Sequence, residues 1–382
     1  MSRHLVLVVS IGRSGTSLFA GILAQLGFRV PQPEVEANKT NPRGFSEPRW
    51  VVDFHRPLMR DRRVRLWDSR PTAWKLTADA AEDARTVEEL KSWLAVQFVG
   101  SDKVVIKDPR IAWFLPLWQR CASELEIETS FALVARQPPE VVASARKWYG
   151  TKQSDASRAA AWLNVMLHSE AATRAAPRSL TRYDMLLADW SGEIARIGEP
   201  LGLPSLSAVE PSAYPQIEAF VDPTLRRSAV SWKKLKIPGE LRALADQAWE
   251  QLSRLTEPGG DDEQARTALD ATRAAYVELY SQAEALTYSS LTAAAPRRGR
   301  FGRARRKRLG RAKGVLRGKA SRLVPYRQRE KLRVAAAAVP LGMGGLAALP
   351  LRMALMVPPR YRERVPVPVV RMFMRFFRWL RD

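Results

Sequence analysis

Gly12-Arg13-Ser14-Gly15-Thr16-Ser17 puts two glycines, one arginine and three hydroxyls into six consecutive residues. Such a turn, set between a strand and a helix, aims backbone N–H groups at one point, and the helix N-terminus adds partial positive charge there. Arg13 and the hydroxyls of Ser14, Thr16 and Ser17 supply more donors, so the chemistry is the grip of a phosphate-like anion. In nucleoside-triphosphatases such a loop ends in Gly-Lys-Ser/Thr, the lysine reaching the terminal phosphates and the hydroxyl holding magnesium. Here Thr16 and Ser17 follow Gly15 directly, and the long cation, Arg13, precedes it. The Gly-x-Gly-x-x-Gly of dinucleotide sites is absent from this turn.

Two further groups of residues bear on the same ligand. Thr129–Ala135 reads as an apolar strand, and Pro138, Pro139 and Glu140 are typical of a helix start. Arg136 then stands at a strand's C-terminal end, with Ser144 about two turns into the helix that follows. Leu5–Val9 reads as a buried strand and Leu18–Leu23 as an apolar helix, placing the Gly12–Ser17 turn at an equivalent strand end. Ligands of open α/β sheets bind at that edge. Leu180–Leu187 reads as a short strand running into a helix with Tyr183 at the junction, either stacked on a base or packed as an aromatic.

These residues resemble the sulfotransferase superfamily, over roughly residues 5–230. Arg13-Ser14-Gly15-Thr16-Ser17 looks like its 5′-phosphosulfate loop, Arg136 with Ser144 like its 3′-phosphate motif, and Arg182-Tyr183-Asp184 like the piece whose tyrosine lies near adenine. Asn41-Pro42-Arg43-Gly44-Phe45 and Lys107-Asp108-Pro109-Arg110 have the look of the bacterial and Golgi-like branch. The resemblance implies a three-layer α/β fold of the P-loop type, a parallel sheet flanked by helices. It also implies 3′-phosphoadenosine 5′-phosphosulfate (PAPS) as donor, PAP as product, and no metal. Gly12 to Ser17, Arg136, Ser144 and Tyr183 would hold the donor.

The implied reaction is an in-line displacement at sulfur by an acceptor hydroxyl. Charge grows on the bridging oxygen, where a fixed donor is worth about 3–4 kcal/mol of barrier. Arg13 is the first choice for that role and Lys107 the second. Arginine does not give up its proton, so its help is electrostatic. The base is Glu47 or Asp108. Glu47 lies in a loop among aromatics, where partial burial would raise its pKa; Asp108 lies at a strand end, with a salt bridge to Lys107, Arg110 or Arg136 as its structural alternative. His4, His55 and His168 match no motif and read as non-catalytic. Arg43 and Arg110 are pocket cations or structural ones. Trp50, Trp67, Trp74 and Trp113 lie between the motifs and form either an acceptor wall or core. The single cysteine, Cys121, excludes a disulfide framework and a cysteine-rich zinc site, and reads as packing. An ATP- and magnesium-dependent phosphotransferase, or a non-catalytic relative serving as a membrane-surface scaffold, are the alternatives.

The 382 residues suffice for one large α/β domain, expected over 1–290, plus an appendage. A helix is expected over 79–98, and a helical pair, Gly239–Thr256 and Glu263–Leu286, split at Glu257–Asp262. Leu269, Tyr276, Leu279, Tyr280, Ala283 and Leu286 would give the second of these an apolar stripe. Arg226 and Arg227 loosely resemble late basic residues that clamp the 3′-phosphate, a surface role being the simpler reading. From Arg297 to Asp382, 25 Lys and Arg stand against three acids; the residues before them hold 37 basic and 36 acidic groups. Residues 291–330 read as a basic flexible linker, and 331–382 as an apolar and basic amphipathic tail. Val334–Leu351 is apolar but interrupted by prolines and glycines, too fragmented for a spanning helix. Arg371, Arg375 and Arg378 share one helical face beside Met372, Phe373, Phe376, Trp379 and Leu380. That pattern suits an anionic membrane surface better than packing on the globular domain, and better than a nucleic acid, which would leave the aromatic face unexplained. With no signal-peptide pattern and one cysteine, the expected place is the cytoplasm, peripheral on the inner face of the cell membrane. The expected acceptor is a carbohydrate, glycolipid or other small hydroxyl compound.

Overall fold

Three apolar runs and one short polar edge strand pair as one parallel sheet. The structure is a computed structural model describing residues 2–150, 153–222, 224 and 230–294. The basic linker from 295, the tail 331–382, Arg226 and Arg227 lie outside the described residues. Strands β1 (His4–Val9), β2 (Lys103–Lys107), β3 (Glu128–Ala135) and β4 (Arg178–Arg182) run in the order β2-β1-β3-β4, all parallel. The central register sets Leu7 beside Ile106 on one side and Phe131 on the other.

Continuous apolar strands mean a sheet covered on both faces. Leu5, Leu7 and Val9 join one core with Val104, Ile106, Phe131 and Leu133, while Val6 and Val8 join the other with Val105, Ala132 and Val134. The strand period of two thus splits each run between the layers. Helix α1 (Thr16–Gln25) belongs to the second core; α2 (Arg49–Asp61), α3 (Ala84–Gln97), α4 (Leu115–Glu124), α5 (Pro138–Trp148) and α6 (Asp155–Ala172) belong to the first. The short α7 (Tyr183–Ala188), α8 (Trp190–Gly198) and α9 (Pro215–Phe220) return to the α1 side, and α10 (Gly239–Arg254) and α11 (Glu263–Ala294) to the α6 side.

The helix after β1 covers one face and the helix after β3 covers the other, so the sheet switches direction between these two neighbouring strands. A crevice opens there at their C-terminal ends. Helix α1 is held in place at its far end by a Schellman cap: Gly27 takes φ 91°, Phe28 N donates to Leu23 O at 3.0 Å, and Gly27 N donates to Ala24 O at 3.2 Å.

Several boundaries differ from expectation. The helix expected over 79–98 starts at Ala84, capped by the Asp83 side chain, and two short 3-10 turns, Ala73–Leu76 and Ala78–Ala81, precede it. An N-cap aspartate ends helical geometry on its upstream side, and that local bond outweighs the apolar pattern before it. The stripe of α11 is buried at Leu269 and Tyr276, but Ala283 and Leu286 are exposed, Leu286 at 84%. Cys121 is buried in α4, where burial pushes its thiol up to about 12.

Candidate active site

The Gly12–Ser17 turn joins β1 to α1 with left-handed backbone at Arg13 (φ 76°) and Gly15 (φ 97°). Alternating hands of this kind turn successive N–H groups toward one point. For Gly15 the requirement is steric as well: a Cβ there would overlap the Tyr183 ring. For Arg13, a non-glycine at positive φ, the cost is roughly 1 kcal/mol. Its side chain is held from two directions, Nε donating to Ser144 Oγ at 3.0 Å and Nη1 to Thr40 O at 3.4 Å. Among the described residues no side chain caps α1, and its first turn holds no acid, so the positive helix end opens on the crevice.

A cavity of about 290 Å³ occupies the crevice. Gly12, Arg13, Gly15, Thr16 and Ser17 line it together with Arg136, from the end of β3, and Tyr183, from the start of α7. The two anion-binding elements expected from sequence therefore share one wall. Among the described lining residues, Arg13, Lys107, Arg110 and Arg136 are cationic and Glu47 alone is acidic.

Arg136 is 8% exposed. Its Nε donates to Glu140 Oε2 at 2.8 Å, and its guanidinium lies over the Tyr183 ring at 4.6 Å. Arg136 Nη2 is buried and has no hydrogen-bond partner among the described residues; Ser14 Oγ is in the same state. Ser144 is buried and reaches the site through Arg13, as Ser14 does not line the cavity either.

Lys107 closes β2 with its ammonium buried. Nζ donates to Glu47 Oε1 at 2.6 Å, to Ser17 Oγ at 3.2 Å and to Phe45 O at 3.2 Å. Glu47, expected as a partly buried carboxylate among aromatics, is paired with a cation brought by a strand 60 residues away. Asp108, the other candidate base, does not line the cavity. It is 0% exposed; Oδ2 meets His55 Nδ1 at 2.8 Å and Oδ1 accepts from Arg110 Nη1 at 2.6 Å. Trp118 Nε1 donates to His55 Nε2 at 3.0 Å. Indole only donates, so His55 Nε2 accepts and Nδ1–H donates to Asp108. Burial lowers the His55 pKa and keeps the ring neutral. Burial alone would raise Asp108, but Arg110 and His55 together hold it below the usual carboxylate range.

Other candidates lie elsewhere. Arg43 turns to Ala219 O, Phe220 O and Asp222, and borders a separate recess of about 50 Å³ that shares Ser17, Leu18 and Tyr183 with the main cavity. None of the four tryptophans considered for an acceptor wall lines the main cavity; Leu66, Phe45 and Tyr149 do. Trp74 and Trp113 instead stack on His168, at ring separations of 5.5 and 6.1 Å. Sequence reasoning missed Tyr149, Asn38 and the Glu140 partner of Arg136. Glu140 was legible as the i+4 neighbour of Arg136; Tyr149, past the end of α5, carried no signal. Among the described residues, no His, Cys, Asp and Glu group has the makings of a metal site, and no helix is long and apolar enough to cross a membrane.

No protein-family profile matches the chain, and no curated protein matches it. Three solved chains are similar in structure. One is the sulfotransferase domain from the Synechococcus PCC 7002 olefin synthase, with a TM-score of 0.41 and 17% identity, covering 66% of this chain and 95% of that one. At that similarity, the assignment of chemistry rests on the cavity itself.

Proposed function

We propose that this protein is a sulfotransferase, moving a sulfuryl group from PAPS to an acceptor hydroxyl. The observation that carries the reading is Arg136, which lines the same cavity as the Gly15 loop and whose buried Nη2 has no hydrogen-bond partner among the described residues. Leaving such a donor unmet costs on the order of 1–3 kcal/mol, and a phosphate oxygen would satisfy it. The residues fit a nucleotide charged at both ends: the loop and α1 at the 5′ end, Arg136 at the 3′-phosphate, Tyr183 beside the base. Glycine at position 15 leaves the room that a Cβ would take from Tyr183.

Bound there, the donor supplies an activated sulfuryl group: the acceptor oxygen–sulfur bond forms as the sulfur–oxygen bond to the nucleotide breaks, and the electron pair leaves on the phosphate. Arg13, anchored by Ser144, holds positive charge where that oxygen becomes an anion. Lys107 neutralises the sulfuryl oxygens and in doing so releases Glu47. Glu47 then takes the proton of the acceptor hydroxyl. Asp108 orients Arg110 from behind the wall. We also propose, from the spacing of arginines and aromatics in the sequence of 371–380, that the tail holds the enzyme on an anionic membrane, which favours a lipid-linked acceptor.

Calorimetry with PAP, and with ATP plus magnesium, tests the reading. Tight PAP binding without metal supports it. Preference for ATP and magnesium would make the protein a phosphotransferase, and binding of neither would leave a scaffold.

A further inference from the structure

Arg110 is the lining cation that donor binding leaves unused. Its guanidinium is held by a carboxylate that is itself fixed. Asp108 Oδ1 accepts from both its Nη1 and its backbone N, the carboxylate's other oxygen is tied to His55, and Trp118 locks that ring. His55 and Asp108 are both 0% exposed. Burying a carboxylate so completely is costly, the hydrogen bonds from Arg110 and His55 offset that cost, and the member of this group that reaches the cavity is Arg110. Among the described residues, no acceptor other than Asp108 takes a hydrogen bond from its side chain.

Strand order tells which side of the cavity this is. β2 and β3 flank β1 on opposite sides, so Arg110, just past β2, and Arg136, just past β3, stand on opposite sides of the Gly12–Ser17 loop. On the proposed function, the nucleotide extends from the loop toward Arg136 and Tyr183. In-line displacement brings the acceptor oxygen from the opposite side, over β2, where Glu47, Lys107, Leu66 and Arg110 line the wall. Lys107 is taken by the sulfuryl group and Glu47 by the proton.

We propose that Arg110 recognises an anionic group, carboxylate or phosphate, carried by the acceptor close to its reacting hydroxyl. The acceptor is then a hydroxylated anion, and Arg110 determines that specificity. This inference rests on the donor assignment, and a two-part binding experiment separates the two.

PAP affinity is measured first in the wild-type protein and in Arg110→Gln; it is expected to be the same, which also reports that the variant is folded. Because Arg110→Gln strands Asp108 without its cation, Arg110→Lys and the double variant Asp108→Asn with Arg110→Gln are compared alongside. Then para-hydroxybenzoate and its neutral counterpart para-hydroxybenzamide are titrated into the full-length protein, with and without saturating PAP. The wild-type protein is expected to favour the acid by about tenfold, Arg110→Lys to keep part of the preference, and the two glutamine variants to lose it. Equal binding of acid and amide to wild type, no binding of the acid, or a preference that survives Arg110→Gln would overturn the proposal. Failure of PAP to bind the wild-type protein would instead remove the donor assignment, while the acid preference of the free protein still reads on Arg110.

Discussion

Arg13 Nε donates to Ser144 Oγ at 3.0 Å across 131 residues of sequence. That one bond ties the loop after β1 to the helix after β3, the two elements that open the crevice. It also explains how a non-glycine residue holds φ 76°: the strained backbone is fixed at the point where its side chain is anchored. Arg13→Ala is expected to lower kcat by about 10²–10³, with PAP affinity falling much less, since its main service is to charge formed in the transition state. Lys307→Ala is the control. Equal turnover in the two variants, measured with radiolabelled PAPS, would contradict the role.

Arg136→Ala is expected to act on binding first. It removes the cation over Tyr183 and the unpartnered Nη2, and should weaken PAP by about 10²-fold. It also takes the Arg136 ion pair from the buried Glu140, so Arg136→Ala with Glu140→Gln separates lost binding from lost fold. Unchanged PAP affinity in the double variant would remove the 3′-phosphate assignment.

His168 predicts an acid sensitivity. Burial lowers its pKa from 6.5 to about 4, with Arg273 adding in the same direction. Below pH 6.5 the unfolded chain takes up a proton that the folded protein refuses, so stability falls as pH drops from 6.5 toward 4. The loss at this site is at most about 3 kcal/mol. His55, also lowered by burial, adds in the same direction. His168→Phe keeps a ring between Trp74 and Trp113 and should flatten the decline. Urea midpoints at pH 7 and pH 4.5 test this; parallel losses in wild type and variant would refute it.

The tail is tested by deletion of 297–382. PAP affinity should be unchanged, and binding to vesicles of phosphatidylserine with phosphatidylcholine should disappear. Each lysine or arginine near an anionic surface contributes roughly 1 kcal/mol, so the full-length protein should also release as salt rises. Vesicle binding that survives the deletion would end the membrane account.

The strand–turn–helix units were legible because their causes are local. An apolar run of β-branched residues, glycine where φ must be positive, and prolines at a helix start act over a few residues, and β1–α1 and β3–α5 stand where those signals put them. The same locality let Arg136 and Gly15 be assigned to one edge of a parallel sheet. By itself the sequence determined this much: a parallel sheet flanked by helices, with a glycine- and hydroxyl-rich turn after its first strand, and a charge balance pushed almost wholly into the last residues.

The tertiary structure decided which charges meet. Glu47 and Asp108 were both candidates in the sequence, Glu47 in a loop among aromatics and preferred, Asp108 at a strand end among cations. Folding gave Glu47 to Lys107 at the cavity and withdrew Asp108 behind Arg110 and His55. Asp108–Arg110, two residues apart, was among the alternatives the sequence offered, but Glu47–Lys107 and Asp108–His55 are contacts of a few ångströms between residues 60 and 53 positions apart, and no local pattern encodes them. The same holds for Tyr183, whose place against Gly15 and under Arg136 comes from β4 lying next to β3.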